Sequence, residues 1–169
     1  VERIRLKLYQ PFARMIGVSK AYFEDVFPED MANKTASIPD EYMVTPPASV
    51  AVPAMQGLSY SFEEPNLKEL YLNLLTAASD KRRTADAHPA FADVIKQLTP
   101  REAALLNNFL PEPQLTIVRL KDVVEPGVYQ TKMTHLLPLA NETGEPVEEP
   151  QAPTWVDNWI RLGLVEVTY

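Results

Sequence analysis

The sequence contains no cysteine among its 169 residues. That absence excludes a disulfide framework, a thiolate metal site and a cysteine nucleophile, and it accords with a cytoplasmic protein. Histidine is almost missing too. His88 and His135 stand far apart, and no carboxylates fall at the spacing of a calcium loop, so no metal site is expected. The five glycines, Gly17, Gly57, Gly127, Gly144 and Gly163, are scattered singly. They leave no phosphate-cradling loop, no dinucleotide fingerprint and no glycine-flanked serine elbow. No stretch approaches the ~18 uninterrupted apolar residues of a membrane span. Basic residues are in deficit, 16 against 23 acidic ones, for a formal charge of −7. That balance repels phosphate backbones and anionic membranes. No cofactor is expected, and nothing in the inventory argues for an enzyme.

The remaining composition is that of an ordinary globular chain, 46% apolar and 23% charged, with enough apolar surface to fold without staples. A helical and extended N-terminal extension is expected over residues 1–64 and a core domain over 65–169. The opening "VERIRLKLYQPF" alternates charge with aliphatics and lacks the apolar region of a signal peptide. The chain starts at Val1 and not at methionine, which is the expected mark of trimming or processing and leaves room for an anchor ahead of it. Proline is the one residue in excess, with 16 copies, about twice the usual share.

Proline placement guides the segmentation. Two short helical stretches are expected over residues 1–27, broken near Pro11 and Gly17, the second capped by Ser19 and ended by Pro28. Residues 28–64 carry Pro28, Pro39, Pro46, Pro47 and Pro53 with little periodicity. They read as an extended connector holding one short helix around residues 50–58. "PNLKELYLNLLTAAS" then gives the clearest helix, because Leu67, Leu70, Tyr71, Leu74, Leu75 and Ala78 recur on one face.

Next comes "DAHPAFADVIKQLTPREAALLNNFL". Pro89 suits the first turn of a helix, where a backbone donor is unpaired anyway, and His88 before it is positioned to cap a free N–H. Phe91, Val94, Ile95 and Leu98 follow at helical spacing. Thr99-Pro100-Arg101-Glu102 restarts the pattern as a capping box, with hydroxyl first and carboxylate three residues on, so two helices meet at a sharp corner. A general base needs an orienting partner and a pocket, and no spacing supplies either for His88. The structural reading of His88 therefore outweighs the catalytic one.

From Gln114 the pattern turns to strands. "QLTIVRL" and "VYQTKMTHLL" flank a turn at Pro126-Gly127, and Asn141 to Pro153 forms a polar acidic loop. Thr154 to Asp157 repeats the capping pattern ahead of a helix with Trp155, Trp159 and Leu162 on one face. Gly163 supplies its left-handed end, and "LVEVTY" closes as a strand. The expected fold is mainly α, an α+β helical domain whose small C-terminal β element has the order of a degenerate winged helix. DNA binding by the last helix is the alternative this ordering raises. From Thr99 onward, however, five basic residues face ten acidic ones, a balance that opposes it. Trp155 and Trp159 are candidates for an interface hot spot, against the commoner core role. Lys81-Arg82-Arg83 reads as a solvated run before it reads as a phosphate seat.

Three stretches together carry a resemblance. Asn73-Leu74-Leu75, His88-Pro89-Ala90-Phe91 with Gln97-Leu98-Thr99-Pro100, and Arg161-Leu162-Gly163-Leu164 resemble the abortive-infection alpha (Abi-alpha) family of bacterial domains over about residues 45–169. Trp159 stands where that family has leucine, and Thr99 replaces serine; both keep the anchoring and capping roles. The resemblance implies a part in phage defence, in which an infected cell stops growing before new virus is released. It carries over no catalytic residues. The matched positions, His88, Pro89, Phe91, Leu98, Thr99, Pro100, Arg161, Leu162 and Gly163, are those the structural reading uses for helix starts and ends. The expected activity is therefore non-catalytic contact with a host or phage protein, or self-association.

Overall fold

The computed structural model describes residues 21–109, 114–140 and 143–168. The helical stretch expected before Ala21, with its Ser19 cap, lies outside them. The chain divides into two compact units that meet in sequence at Asn107/Asn108.

In the first unit a π-helical turn, Tyr22–Val26, leads into helix α1, Phe27–Thr35. Pro28 does not end the helix as expected. It lies at the start of α1, directly after the π-helical turn, whose wider hydrogen-bond spacing lets the helix run on through a residue without a backbone N–H. A 3₁₀ turn at Asp40–Tyr42 follows, and Met43 and Asp80 form an antiparallel bridge. Helix α2 covers Ala48–Ser61 with Pro53 inside it. The extended connector expected here is thus replaced largely by helix. Val50, Ala51, Ala54, Met55 and Leu58 are all buried, and burial of that face overrides the weak local propensity of Pro53 and Gly57. Helix α3, Pro65–Ser79, buries Leu67, Tyr71, Leu74, Leu75 and Ala78 as the periodicity predicts. Helices α4, Ala90–Lys96, and α5, Pro100–Phe109, follow. Helix α3 packs on α1, α2 and α4, and α2 also packs on α4.

The second unit contains an antiparallel hairpin, β1 (Val118–Glu125) with β2 (Val128–Leu136), in a two-stranded sheet. The first strand starts at Val118 and not at Gln114, because Leu136, the last residue of β2, pairs with Val118. Gly127 turns the hairpin at φ +83°. A second, minimal ladder pairs β3 (Leu139–Ala140), just before the acidic loop, with β4 (Pro146–Val147) inside it. Helix α6, Ala152–Arg161, packs against β2.

The expected Thr154–Asp157 capping box does not form. The helix already starts at Ala152, with Gln151 at the cap and no side-chain capping bond, so Thr154 lies inside the first turn. Gly163 ends α6 at φ +72°. The Leu164 N–H reaches back to the Trp159 carbonyl at 2.9 Å, the long closing bond of a left-handed helix end. Residues 165–168 form no strand, which removes the closing β element expected there. The architecture is mainly α with a small antiparallel β element, α+β as the sequence implied. Among the described residues no helix is long and apolar enough to cross a membrane.

Candidate functional site

Four places gather the chemistry-bearing side chains. The first is the corner between α4 and α5. His88 is exposed, and its Nδ1 accepts the Ala90 N–H at 3.1 Å. Pro89 lies in helical conformation at φ −54°, ψ −34°, and the Phe91 ring stands edge-on to the imidazole at 6.1 Å. That bond ties the ring to its own helix start. Leu98 is buried. The Thr99 N–H donates to Glu102 Oε2 at 2.7 Å and the Glu102 N–H donates to Thr99 Oγ1 at 3.2 Å. Each partner thus satisfies a donor at the start of α5 that the helix cannot. These motif positions build a turn of the fold.

The second place was not legible in sequence. Asp80 is buried at the end of α3. Its carboxylate accepts the Arg82 backbone N–H at 2.9 Å, the Nε at 2.9 Å and the Nη2 at 2.6 Å. The Arg82 guanidinium also lies over the Tyr42 ring, 4.6 Å from its centre. Hydrogen bonding from Arg82 holds the Asp80 carboxyl below the usual carboxylate range, against the opposing effect of desolvation. The same bond raises Arg82 above the usual guanidinium value. The middle charge of Lys81-Arg82-Arg83 therefore clasps the connector onto α3. Arg83 lies 3.9 Å from Asp86.

Two concavities lie in the helical unit. One, of about 460 Å³, runs between α1 and α3 past Asp30, Lys34, Lys68 and Glu69. Its charges are matched. Lys34 pairs with Glu69 and reaches Asn73 Oδ1 at 2.8 Å, while Lys68 meets Asp30 at 2.7 Å and lies over the Tyr22 ring. Tyr22 donates to Asp30 at 3.1 Å. Burial foremost, then the Asp30 charge, pushes its phenol well above the ordinary value. The groove thus fastens α1 to α3. The other cavity, of about 290 Å³, lies between α2, α3 and α4 and is lined by Gly57, Leu67, Tyr71, Ala92, Ile95 and Leu98 among others. Burial, aided by the nearby Asp93 charge, pushes Tyr71 up to about 12.

The fourth place is the C-terminal unit. Trp155 and Trp159 are buried, on the face of α6 that the sequence pattern indicated. Arg161 donates to Asn158 Oδ1 at 2.6 Å, and Leu162 caps the helix before Gly163. His135 adopts φ 58°, rare for a residue with a Cβ, and its Nδ1 stands 2.6 Å from Asp157 Oδ1. The pair links β2 to α6 and uses the aspartate that the sequence assigned to a helix cap. By contrast, the hairpin leaves Val123 67%, Val124 57%, Val128 51% and Tyr129 62% exposed. Periodicity identified these strands without revealing that their tip stays exposed among the described residues. Among the described residues no group of three His, Asp or Glu side chains is placed to hold a metal ion.

A family model described as abortive infection alpha matches residues 19–169. No curated protein and no solved structure matches the chain.

Proposed function

We propose a role in phage defence, exercised by non-catalytic protein contact in the bacterial cytoplasm, for this chain, which belongs to the abortive infection alpha family. Family membership supports the defence role. The observation that carries contact is the end of the β1–β2 hairpin. There, Val123, Val124, Val128 and Tyr129 stand more than half exposed on either side of one turn. Successive residues of a strand point to opposite faces, so both faces of the ribbon carry exposed apolar side chains at this end, and exposed apolar surface is what a docking partner covers. A two-stranded ribbon is also marginal by itself. Among the described residues the ribbon has only two strands, so its outer edges offer backbone donors and acceptors to an incoming strand. The occupant that fits is a protein segment, of host or phage, that adds a strand and covers the apolar tip. Such an encounter needs no reacting group.

The reading is tested in a phage-sensitive bacterium carrying the chain or an empty vector, challenged with a phage panel. The expected result is fewer plaques with at least one phage, together with early arrest of infected cells. A photo-crosslinking side chain at position 129 should trap one defined protein during infection. Normal plating with every phage would overturn the defence role. Protection without any crosslink would overturn the hairpin as its contact surface.

A further inference from the structure

We propose that the cavity between α2, α3 and α4 binds a compact neutral molecule with an apolar body and one hydrogen-bond acceptor, a ring carbonyl or ring nitrogen, received by the Tyr71 hydroxyl. The cavity, about 290 Å³, falls near the lower bound of small-molecule clefts, about 300 Å³. Leu67, Ala92, Ile95 and Leu98 give it apolar walls, and Asp93 and Lys96 lie exposed in its lining with opposite charges. A charged ligand would lose its water against those walls with no net counter-charge to meet it, which selects for a neutral one.

Tyr71 supplies the polar point. The residue is 2% exposed, yet its hydroxyl has no hydrogen-bond partner among the described residues. The oxygen is not sealed from solvent, so it opens onto the cavity, where the acceptor of a ligand can take the place of water. Tyr71 also cannot retreat. The tip of its ring lies against Gly57 of α2, where a Cβ would stand 2.3 Å from ring carbon and hydroxyl oxygen alike. Glycine at 57 therefore lets the hydroxyl sit where it does. Because burial and Asp93 raise the phenol to about 12, it remains a proton donor at every physiological pH, so the complementary ligand group is an acceptor. The α4 wall is the segment between His88-Pro89-Ala90-Phe91 and Leu98-Thr99-Pro100, the most specific part of the sequence motif. This site does not depend on the hairpin, and each can fail without the other.

The test uses the full, isotope-labelled chain and three probes: acetophenone, isoquinoline and ethylbenzene, the last matching the shape of acetophenone without an acceptor. Saturable amide shifts at Gly57, Tyr71, Ala92 and Ile95 are expected with acetophenone or isoquinoline. Affinity for the better of those two should exceed that for ethylbenzene by about two- to tenfold, the scale of one neutral hydrogen bond. Tyr71→Phe removes one oxygen that bonds to no described residue, so the fold should survive. The variant should bind that probe no better than ethylbenzene while keeping its ethylbenzene affinity. Absence of shifts at those amides with all three probes, equal affinity in the wild type, or a preference that survives Tyr71→Phe would each overturn the proposal.

Discussion

The helical unit and the β1–β2 hairpin are built from the same kinds of apolar residue and treat them in opposite ways. In the helices, Ala51, Ala54, Met55, Leu58, Leu75, Ala78 and Ala103 lose all exposure. In the hairpin, Val123 and Tyr129 face each other across the strands and both remain mostly in water. The difference is one of geometry. A helix satisfies its own backbone and needs one covered stripe, which α3 obtains from three neighbouring helices. A two-stranded ribbon leaves two outer edges and a second face, and no short chain segment covers all of them. One region buries its apolar residues, and the other leaves them in water.

The sharpest way to break that contrast is to cut the same kind of side chain in both regions. Leu75→Ala should destabilise the protein by about 2–5 kcal/mol, the range for an aliphatic cavity in a closed core. Val123→Ala should change it by no more than about 0.5 kcal/mol, as surface substitutions do. Urea denaturation followed by circular dichroism measures both, and comparable losses would mean that the hairpin tip is covered.

A smaller effect is expected where α2 meets α3. Gly57→Ala forces Tyr71 aside at an overpacking cost of about 1–3 kcal/mol, partly offset by about 1 kcal/mol of improved helix propensity. In a Tyr71→Leu background the clash is gone and the same substitution should stabilise. A reversal of sign between the two backgrounds is the outcome to look for in thermal melts.

Thr99→Ala should cost about 1 kcal/mol by opening one half of the reciprocal cap, whereas Thr99→Ser keeps the hydroxyl and should be nearly silent. The gentlest probe is pH. Asp80 has its carboxyl depressed by Arg82 in the folded state, so its stabilising contribution is complete above the ordinary carboxylate range. The contribution is lost as pH falls through the lowered folded value. Asp80→Asn should therefore lower stability at neutral pH and flatten the decline on the acid side. An unchanged acid limb would mean that the Arg82 clasp does not respond to titration.

How much of this could be read from the sequence follows the range of the interactions. The stripe of Leu67, Tyr71, Leu74 and Leu75, the Thr99–Glu102 box and the left-handed Gly163 are local, and each stands in the structure as its spacing implies, although Leu70, expected on the same stripe, is only half-buried. Pro28 misled because the same ring that ends a helix also begins one, and only its place in the turn decides. Helix α2 hid behind Pro53 and Gly57 because burial, which depends on α3, outweighs propensity. Asp157 offered a plausible local cap but pairs with His135, a choice made by the packing of α6 on β2. The Tyr71–Gly57 contact and the open hairpin tip depend on what lies opposite, and no window of residues contains that. The family motif was legible for the same reason as the capping box, since it marks the turns of the chain.

The proposed defence function rests on the hairpin tip and on no reacting group. The most direct measurement is plating of a phage that the wild-type chain blocks, on cells carrying Val123→Asp with Tyr129→Asp. The account predicts plaque numbers equal to those of unprotected cells, with protein level and circular dichroism unchanged. Full protection by that variant would contradict it.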